Sequence, residues 1–204
     1  VFLAIGTWLD ALEFANELPA FWQGVPMVAF VALITLGALL VISGVQRERD
    51  ISPLGISYRI ALGIGLHNLG EGLAIGASFA LGEAALGVFL ILGFTLHNIT
   101  EGVGIAAPII RKNPGLPHFA ALLLLAGGPA ILGTWLGGFA FNPVLATVFL
   151  AIGIGAILQV IWEVGKLIVR DSDRLNINTL NWLNLGGLTG GIVIMYLTAF
   201  LVKF

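Results

Sequence analysis

The sequence predicts an all-α protein, a polytopic membrane helix bundle that forms one transmembrane domain over residues 1–204. Three observations predict it: 58% of the 204 residues are hydrophobic, only 10% are charged, and the mean hydropathy is +1.04. Soluble domains carry about 25% charged residues. Apolar runs of about 20 residues, the length that a helix needs to cross the hydrocarbon layer, recur along the chain.

Six full spans result when the chain is cut wherever charges, Pro or Gly-Asn clusters interrupt the apolar runs. In chain order they cover 24–45, 55–82, 84–110, 116–140, 143–169 and 182–203. Residues 1–17 also read as helix, but the apolar part, Val1 to Leu9, is too short to span. We therefore expect a partial N-terminal helix whose beginning lies upstream of Val1.

The connections between spans are short, and every second one is basic. One side receives eight of the nine Lys and Arg residues, with only Lys203 opposite: Arg47, Arg49, Arg59, Arg111, Lys112, Lys166, Arg170 and Arg174. The positive-inside rule makes that side cytoplasmic. It places the 10–23 loop, the Gly82-Glu83 turn and the Asn142-Pro143 turn outside. We expect a multi-pass protein of the inner (plasma) membrane.

Composition also excludes several functional classes. The net charge is −2 and no basic stripe exists, so the sequence argues against a nucleic-acid partner. The chain has no Cys, which excludes disulfides, thiolate metal sites and cysteine nucleophiles. Many of the 28 glycines, such as Gly133 with Gly137 and Gly87 with Gly93, are spaced to allow close approach of helices in lipid.

One polar motif occurs twice inside the apolar spans. Leu-His-Asn-x-x-Glu-Gly-x-x-Ile begins at Leu66 in the second full span and at Leu96 in the third. Ionisable groups at membrane depth are costly and are usually functional. On a helix the His, Asn and Glu of each copy share one face. Two antiparallel spans joined by a tight turn can bring both copies together, which collects these side chains: His67, Asn68, Glu71, His97, Asn98 and Glu101.

This set of donors suits a divalent transition metal. Imidazole nitrogens bind Zn, Fe and Ni, carboxylates compensate charge, and no soft ligand favours Cu(I). For a single His in a helix, an interhelical hydrogen bond is the simpler explanation. The duplicated motif favours metal binding, because two uncompensated buried glutamates would otherwise serve packing alone.

The doubled His-Asn-x-x-Glu-Gly resembles the fourth and fifth transmembrane helices of the ZIP (Zrt/Irt-like) family of divalent-metal transporters. The resemblance implies that the chain covers helices two to eight, with helix one and most of helix two absent. It implies transport of Zn²⁺ toward the cytoplasm, with Fe²⁺, Mn²⁺, Co²⁺ or Cd²⁺ as alternatives. His67, Glu71, His97 and Glu101 would be the primary ligands, and Asn68 and Asn98 supplementary oxygen donors.

The chain departs from the family pattern at several positions. Gly70 and Thr100 stand where family members often have Pro. Gly128 stands where two-metal members have a helix-six Glu, which predicts one well-formed metal site or a weakened second one. Pro108 lacks an N–H and therefore frees the Gly104 carbonyl to line an exit path. The loop 46–54 lacks a His-rich tract.

Four further acidic residues are weaker candidates. Asp10, Glu13 and Glu17 are spaced to share a helical face at the outer mouth, either as an entrance funnel for cations or as an ordinary solvated helix end. Glu163 resembles the helix-seven Glu near the inner exit of the family. Its alternative is an interfacial ion pair with Lys166 or Arg170.

We expect a transporter rather than an enzyme, with the metal ion and membrane lipid as partners. The spans carrying the motif would rock against the rest of the bundle. Two other classes stay open from the residues alone: a membrane metalloenzyme in which the site activates water, and a structural or proton-conducting bundle in which protonated glutamates bond to His. The metal, the energy source and the oligomeric state are open, and a homodimer is compatible with the sequence.

Overall fold

A computed structural model of the protein describes residues 2–44 and 52–203, except for the side chains at 199 and 201–203. Seven α-helices follow one another, and no strand occurs among these residues. They are α1 (Phe2–Asn16), α2 (Gly24–Gly44), α3 (Pro53–Ala80), α4 (Ala84–Ala106), α5 (Leu116–Ala140), α6 (Pro143–Leu175) and α7 (Trp182–Lys203). The basic residues Arg47 and Arg49 and the side chain of Lys203 lie outside the described residues.

Five helical segments are long and apolar enough to cross a membrane, which indicates an integral membrane protein. They are Ala20–Gly44, Pro53–Ala80, Ala84–Ile109, Leu116–Ala140 and Pro143–Leu175. The sixth predicted span is helical over Trp182–Lys203, and the apolar stretch among its fully described residues is Trp182–Thr198. The predicted helical fold class is therefore confirmed, whereas the count of six full spans plus a partial helix is not.

Local sequence explains where the helices begin and end. The Ser52 hydroxyl accepts a hydrogen bond from the Gly55 N–H at 3.1 Å and caps α3. The Asn142 side chain caps α6 in the same way through Val144 at 2.8 Å. Gly82, at φ +82°, makes the tight turn between α3 and α4. The α6 helix extends past the predicted end at 169 to Leu175, because charged residues continue a helix in water after the apolar span has ended.

The first turns of α3 and α5 lie level with the ends of α4 and α6. The Ser57 hydroxyl donates to the Ile105 carbonyl at 2.7 Å, and Tyr58 Oη lies 3.0 Å from His118 Nδ1. This end carries Arg59, Arg111, Lys112, Lys166 and Arg170. We call it the basic end.

Helix α3 is the centre of the bundle and packs against α5 with almost no side-chain layer between them. Gly72 and Gly76 of α3 face the carbonyl oxygens of Ala130 and Thr134. In return, Gly133 and Gly137 of α5 face the carbonyl oxygens of Leu69 and Leu73. A Cβ at any of these glycines would overlap backbone, so the close approach predicted for Gly133 and Gly137 is confirmed.

A second group of helices packs on the other side of α3. Buried apolar residues of α1, α2 and α6 form its core, and they are Ala11, Ala15, Val28, Ala32, Leu150, Ala151 and Ile154. Gly87, by contrast with the α5 glycines, faces the Phe79 ring and the Ser78 hydroxyl rather than backbone. Helices α4, α5 and α6 all pack against α3, and together they enclose its polar motif.

Candidate metal centre

Three side chains from the two motif copies meet in the interior. His67 and Glu71 lie one turn apart on α3, and His97 reaches them from α4. Glu71 Oε1 lies 2.6 Å from His97 Nε2 and 3.1 Å from His67 Nε2. One ligand atom from each residue lies within 4.8 Å of the others. Only 3% of His67, 7% of Glu71 and 9% of His97 are exposed. We call these three residues the His-Glu-His cluster.

The helical hairpin explains why this cluster forms. Residues i and i+4 share a helical face, which puts His67 and Glu71 side by side. The tight turn at Gly82 sends α4 back along α3, so that His97 comes level with Glu71. Glycines on both α3 and α6 let these two helices approach each other close to the cluster. Gly153 of α6 lies against His67, and Gly70 of α3 lies against Leu150 of α6.

The donor set fits a borderline divalent metal. Two imidazole nitrogens and one carboxylate oxygen are the ligands common in zinc sites. His97 Nε2–H donates to the Glu71 carboxylate. His67 Nε2 lies 3.1 Å from the same carboxylate oxygen, whereas His67 Nδ1 is buried without a hydrogen-bond partner. A buried polar nitrogen without a partner is costly, so the hydrogen bonds within the cluster do not satisfy all of its polar atoms.

The two asparagines contribute oxygens to the surroundings of the cluster. Asn68 Nδ2 donates to the Ala126 carbonyl of α5 at 3.1 Å, which leaves Asn68 Oδ1 buried without a hydrogen-bond partner. Asn98 Oδ1 is buried and unpartnered as well. Each asparagine therefore presents a free oxygen, as expected of a supplementary donor.

Glu101 lies beside the compact cluster rather than within it. Its charge interacts with His67, Glu71 and His97, and its carboxylate lies next to Asn68. Glu101 Oε2 is buried without a hydrogen-bond partner. The structure thus brings together three of the four predicted primary ligands in one group and leaves the fourth at its edge.

Two cavities lie next to these residues on the side of the basic end. The larger, about 570 Å³, is walled by α1, α3, α4, α6 and α7 and includes His67, Glu101 and Gly104 in its lining. The smaller, about 210 Å³, lies between α3, α4 and α5 and is lined by Asn68, Asn98 and Glu101 among others. The α-helical part of α4 ends at Ala106, two residues before Pro108.

Glu163 lies in a buried ion pair away from both cavity linings. Its Oε1 is 3.5 Å from Arg59 Nη1 and 3.8 Å from Lys166 Nζ. Lys166 was predicted from the sequence as an alternative partner of Glu163. Arg59 was not predicted, because it was assigned to a basic loop. The signal was present, since the Ser52 cap and Pro53 start α3 early enough to put Arg59 in its second turn. Gln159, also missed, is 1% exposed and packs against Gly63.

The acidic residues of the predicted entrance are exposed. Asp10 and Glu13 lie on α1, whereas Glu17 follows Asn16, the last residue of that helix. The helix therefore does not carry all three carboxylates on one face.

Comparison of the chain with protein-family models, with curated proteins and with solved structures finds no match.

Proposed function

We propose that this protein carries a divalent transition-metal ion across the membrane, with the His-Glu-His cluster as the central binding site. Zn²⁺ is the first candidate for the cargo, and Fe²⁺, Mn²⁺ and Cd²⁺ share the required chemistry. The proposed direction is toward the basic end, which the positive-inside rule assigns to the cytoplasm. The observation that carries the proposal is that the imidazoles of His67 and His97 both contact one oxygen of Glu71.

The depth of the cluster supports carriage rather than surface binding. Glu71 lies in the interior of α3, 18 residues after its start and 9 before its end, and His97 lies in the half of α4 nearer the basic end. Ionisable side chains at such depth face the interior of a bundle and mark ion pathways. The two cavities lie between the cluster and the basic end.

The resemblance of the doubled motif to ZIP transporters supports the same proposal. It adds Asn68, Asn98 and Glu101 as oxygen donors, and it suggests alternating access in which the helices that carry the motif rock against the others. The packing suggests that α5 would accompany α3, because their backbones touch along several turns.

A structural or proton-conducting bundle is the second candidate. The observation in its favour is the His97 to Glu71 hydrogen bond, which satisfies part of the cluster with no metal. Metal analysis separates the two. Anomalous scattering at the zinc edge between residues 67–71 and 97–101 supports metal carriage, and a metal-free protein after zinc exposure supports the alternative.

Uptake of radioactive zinc into proteoliposomes tests the proposed function directly. The wild-type chain should accumulate zinc, and the combined substitutions Glu71→Ala and Glu101→Ala should abolish uptake. Glu83→Ala is the matched control, since Glu83 is an exposed carboxylate at the turn of the same hairpin. Equal uptake by the wild type and the double variant would sink the proposal.

A further inference from the structure

We infer that the two glutamates of the repeated motif have different tasks: Glu71 fixes the ion in the cluster, and Glu101 exchanges it between the cluster and the cavities of the basic end. This inference rests on the proposed function and adds to it a division of labour. In sequence the two residues are equivalent, since each follows its His by four positions and precedes a Gly. The structure breaks that equivalence.

Glu71 is enclosed by the imidazoles. A single oxygen, Oε1, contacts His67 Nε2 at 3.1 Å and His97 Nε2 at 2.6 Å. Among the described residues, Glu71 is absent from the lining of both cavities. A carboxylate held between two nitrogen ligands is already placed to complete their coordination of a metal, and it has no contact with either path.

Glu101 occupies the boundary between the cluster and the two cavities. Together with Ile64 it lines both of them, whereas His67 of the cluster lines the larger cavity alone, so Glu101 is the carboxylate that is open to an ion in either cavity. Its Oε2 is buried without a hydrogen-bond partner, and it lies outside the compact group of three ligand atoms. Ile64 offers no ligand atom. Glu101 is therefore the charged group that both routes share.

The remaining free oxygens support an exchange position on this side. Asn68 Oδ1 and Asn98 Oδ1 line the smaller cavity with Glu101, and neither has a hydrogen-bond partner. Oxygen donors bind zinc less tightly than a set that includes imidazole. An ion that leaves the two histidines can thus be held briefly by Glu101 before it moves on, which lowers the barrier to leaving a deep site.

The experiment compares Glu71→Gln with Glu101→Gln in the whole chain, by zinc titration calorimetry in micelles and by zinc flux into proteoliposomes. Losing a ligand of the cluster should weaken zinc affinity about 100-fold in Glu71→Gln, whereas Glu101→Gln should change affinity by less than about 10-fold. Flux at saturating zinc should fall at least about 10-fold in Glu101→Gln, because the exchange step is slowed. Glu101→Asp, which keeps the carboxylate, should restore most of the flux.

Four outcomes are distinguishable. Retained affinity with reduced flux in Glu101→Gln supports the division. Equal loss of affinity in both variants overturns it, since both glutamates are then permanent ligands, while wild-type flux still upholds the proposed function. Normal flux in Glu101→Gln also overturns it. Absence of wild-type flux overturns the proposed function and the exchange role together. Circular dichroism of Glu101→Asp and Glu101→Gln separates misfolding from slowed exchange.

Discussion

His97 Nε2 lies 2.6 Å from Glu71 Oε1, and this buried contact joins α4 to α3 at the centre of the bundle. The same oxygen also contacts His67 Nε2. A carboxylate that serves two imidazoles from two helices holds the hairpin together and prepares a metal site with the same atoms. Changes to any of the three should therefore affect both binding and helix packing.

Replacing His97 should lower zinc affinity much more than replacing the third histidine of the chain. His97→Ala removes one nitrogen donor, and we expect a loss of about 100-fold or more in affinity. His118→Ala is the control, because His118 is exposed and contacts Tyr58 at the basic end. Zinc titration of the two variants measures the difference, and similar affinities would place the metal elsewhere.

Acid should weaken metal binding. Imidazole binds zinc in its neutral form, so protons compete with the metal for His67 and His97, and affinity should decrease steadily as the pH falls from 7 toward about 5. Zinc titrations at several pH values measure this slope. In His97→Ala one of the competing nitrogens is gone, and the slope should become shallower. An affinity independent of pH would contradict coordination by histidine.

A single methyl group between α3 and α5 should destabilise the protein. Gly137→Ala places a Cβ against the Leu73 carbonyl oxygen, and we expect a loss of about 1–3 kcal/mol in the free energy of unfolding. Gly128→Ala on the same helix meets no atom within 4 Å and should change little. Thermal unfolding in micelles compares them, and equal stability would mean that α3 and α5 lie farther apart.

Breaking the buried ion pair between α3 and α6 should also be costly. Arg59→Gln deprives the Glu163 carboxylate of a cation 3.5 Å away and leaves Lys166 at 3.8 Å, so the expected loss of unfolding free energy is below the about 3–5 kcal/mol of a fully unpaired buried charge. Adding Glu163→Gln removes the charge that has lost its nearer partner and should recover part of the loss. Arg174→Gln, on an exposed residue of α6, is the control. No recovery in the double variant would show that the pair is not coupled.

Removing the amide donor of Asn68 tests its link to α5. Asn68→Asp keeps an oxygen donor next to Glu101 but loses the hydrogen bond to the Ala126 carbonyl, and the loss of this buried hydrogen bond should cost about 0.5–1.5 kcal/mol of stability. Denaturation in micelles measures the loss. Stability equal to the wild type would mean that the hydrogen bond has no role in joining α3 to α5.

The sequence by itself determined that the chain lies in a membrane, that its fold is helical, and which polar residues lie inside the apolar helices. Composition alone identifies a membrane chain, since apolar runs of span length have one common physical cause. The repeat around His67 and His97 could be read as a candidate metal site, because helical periodicity fixes which side chains share a face. It could not predict where α6 ends, because charged residues continue that helix beyond its apolar part.

Only the tertiary structure decided which of the equivalent residues meet. Spacing along a helix does not set the rotation of α4 about its axis, and that rotation puts His97 on Glu71 while it leaves Glu101 facing the cavities. The partner of Glu163 was likewise a matter of packing, because Arg59 and Glu163 are far apart in the chain and become neighbours only where α3 crosses α6. Periodicity selects a helical face, and the contact between helices selects the atoms on it.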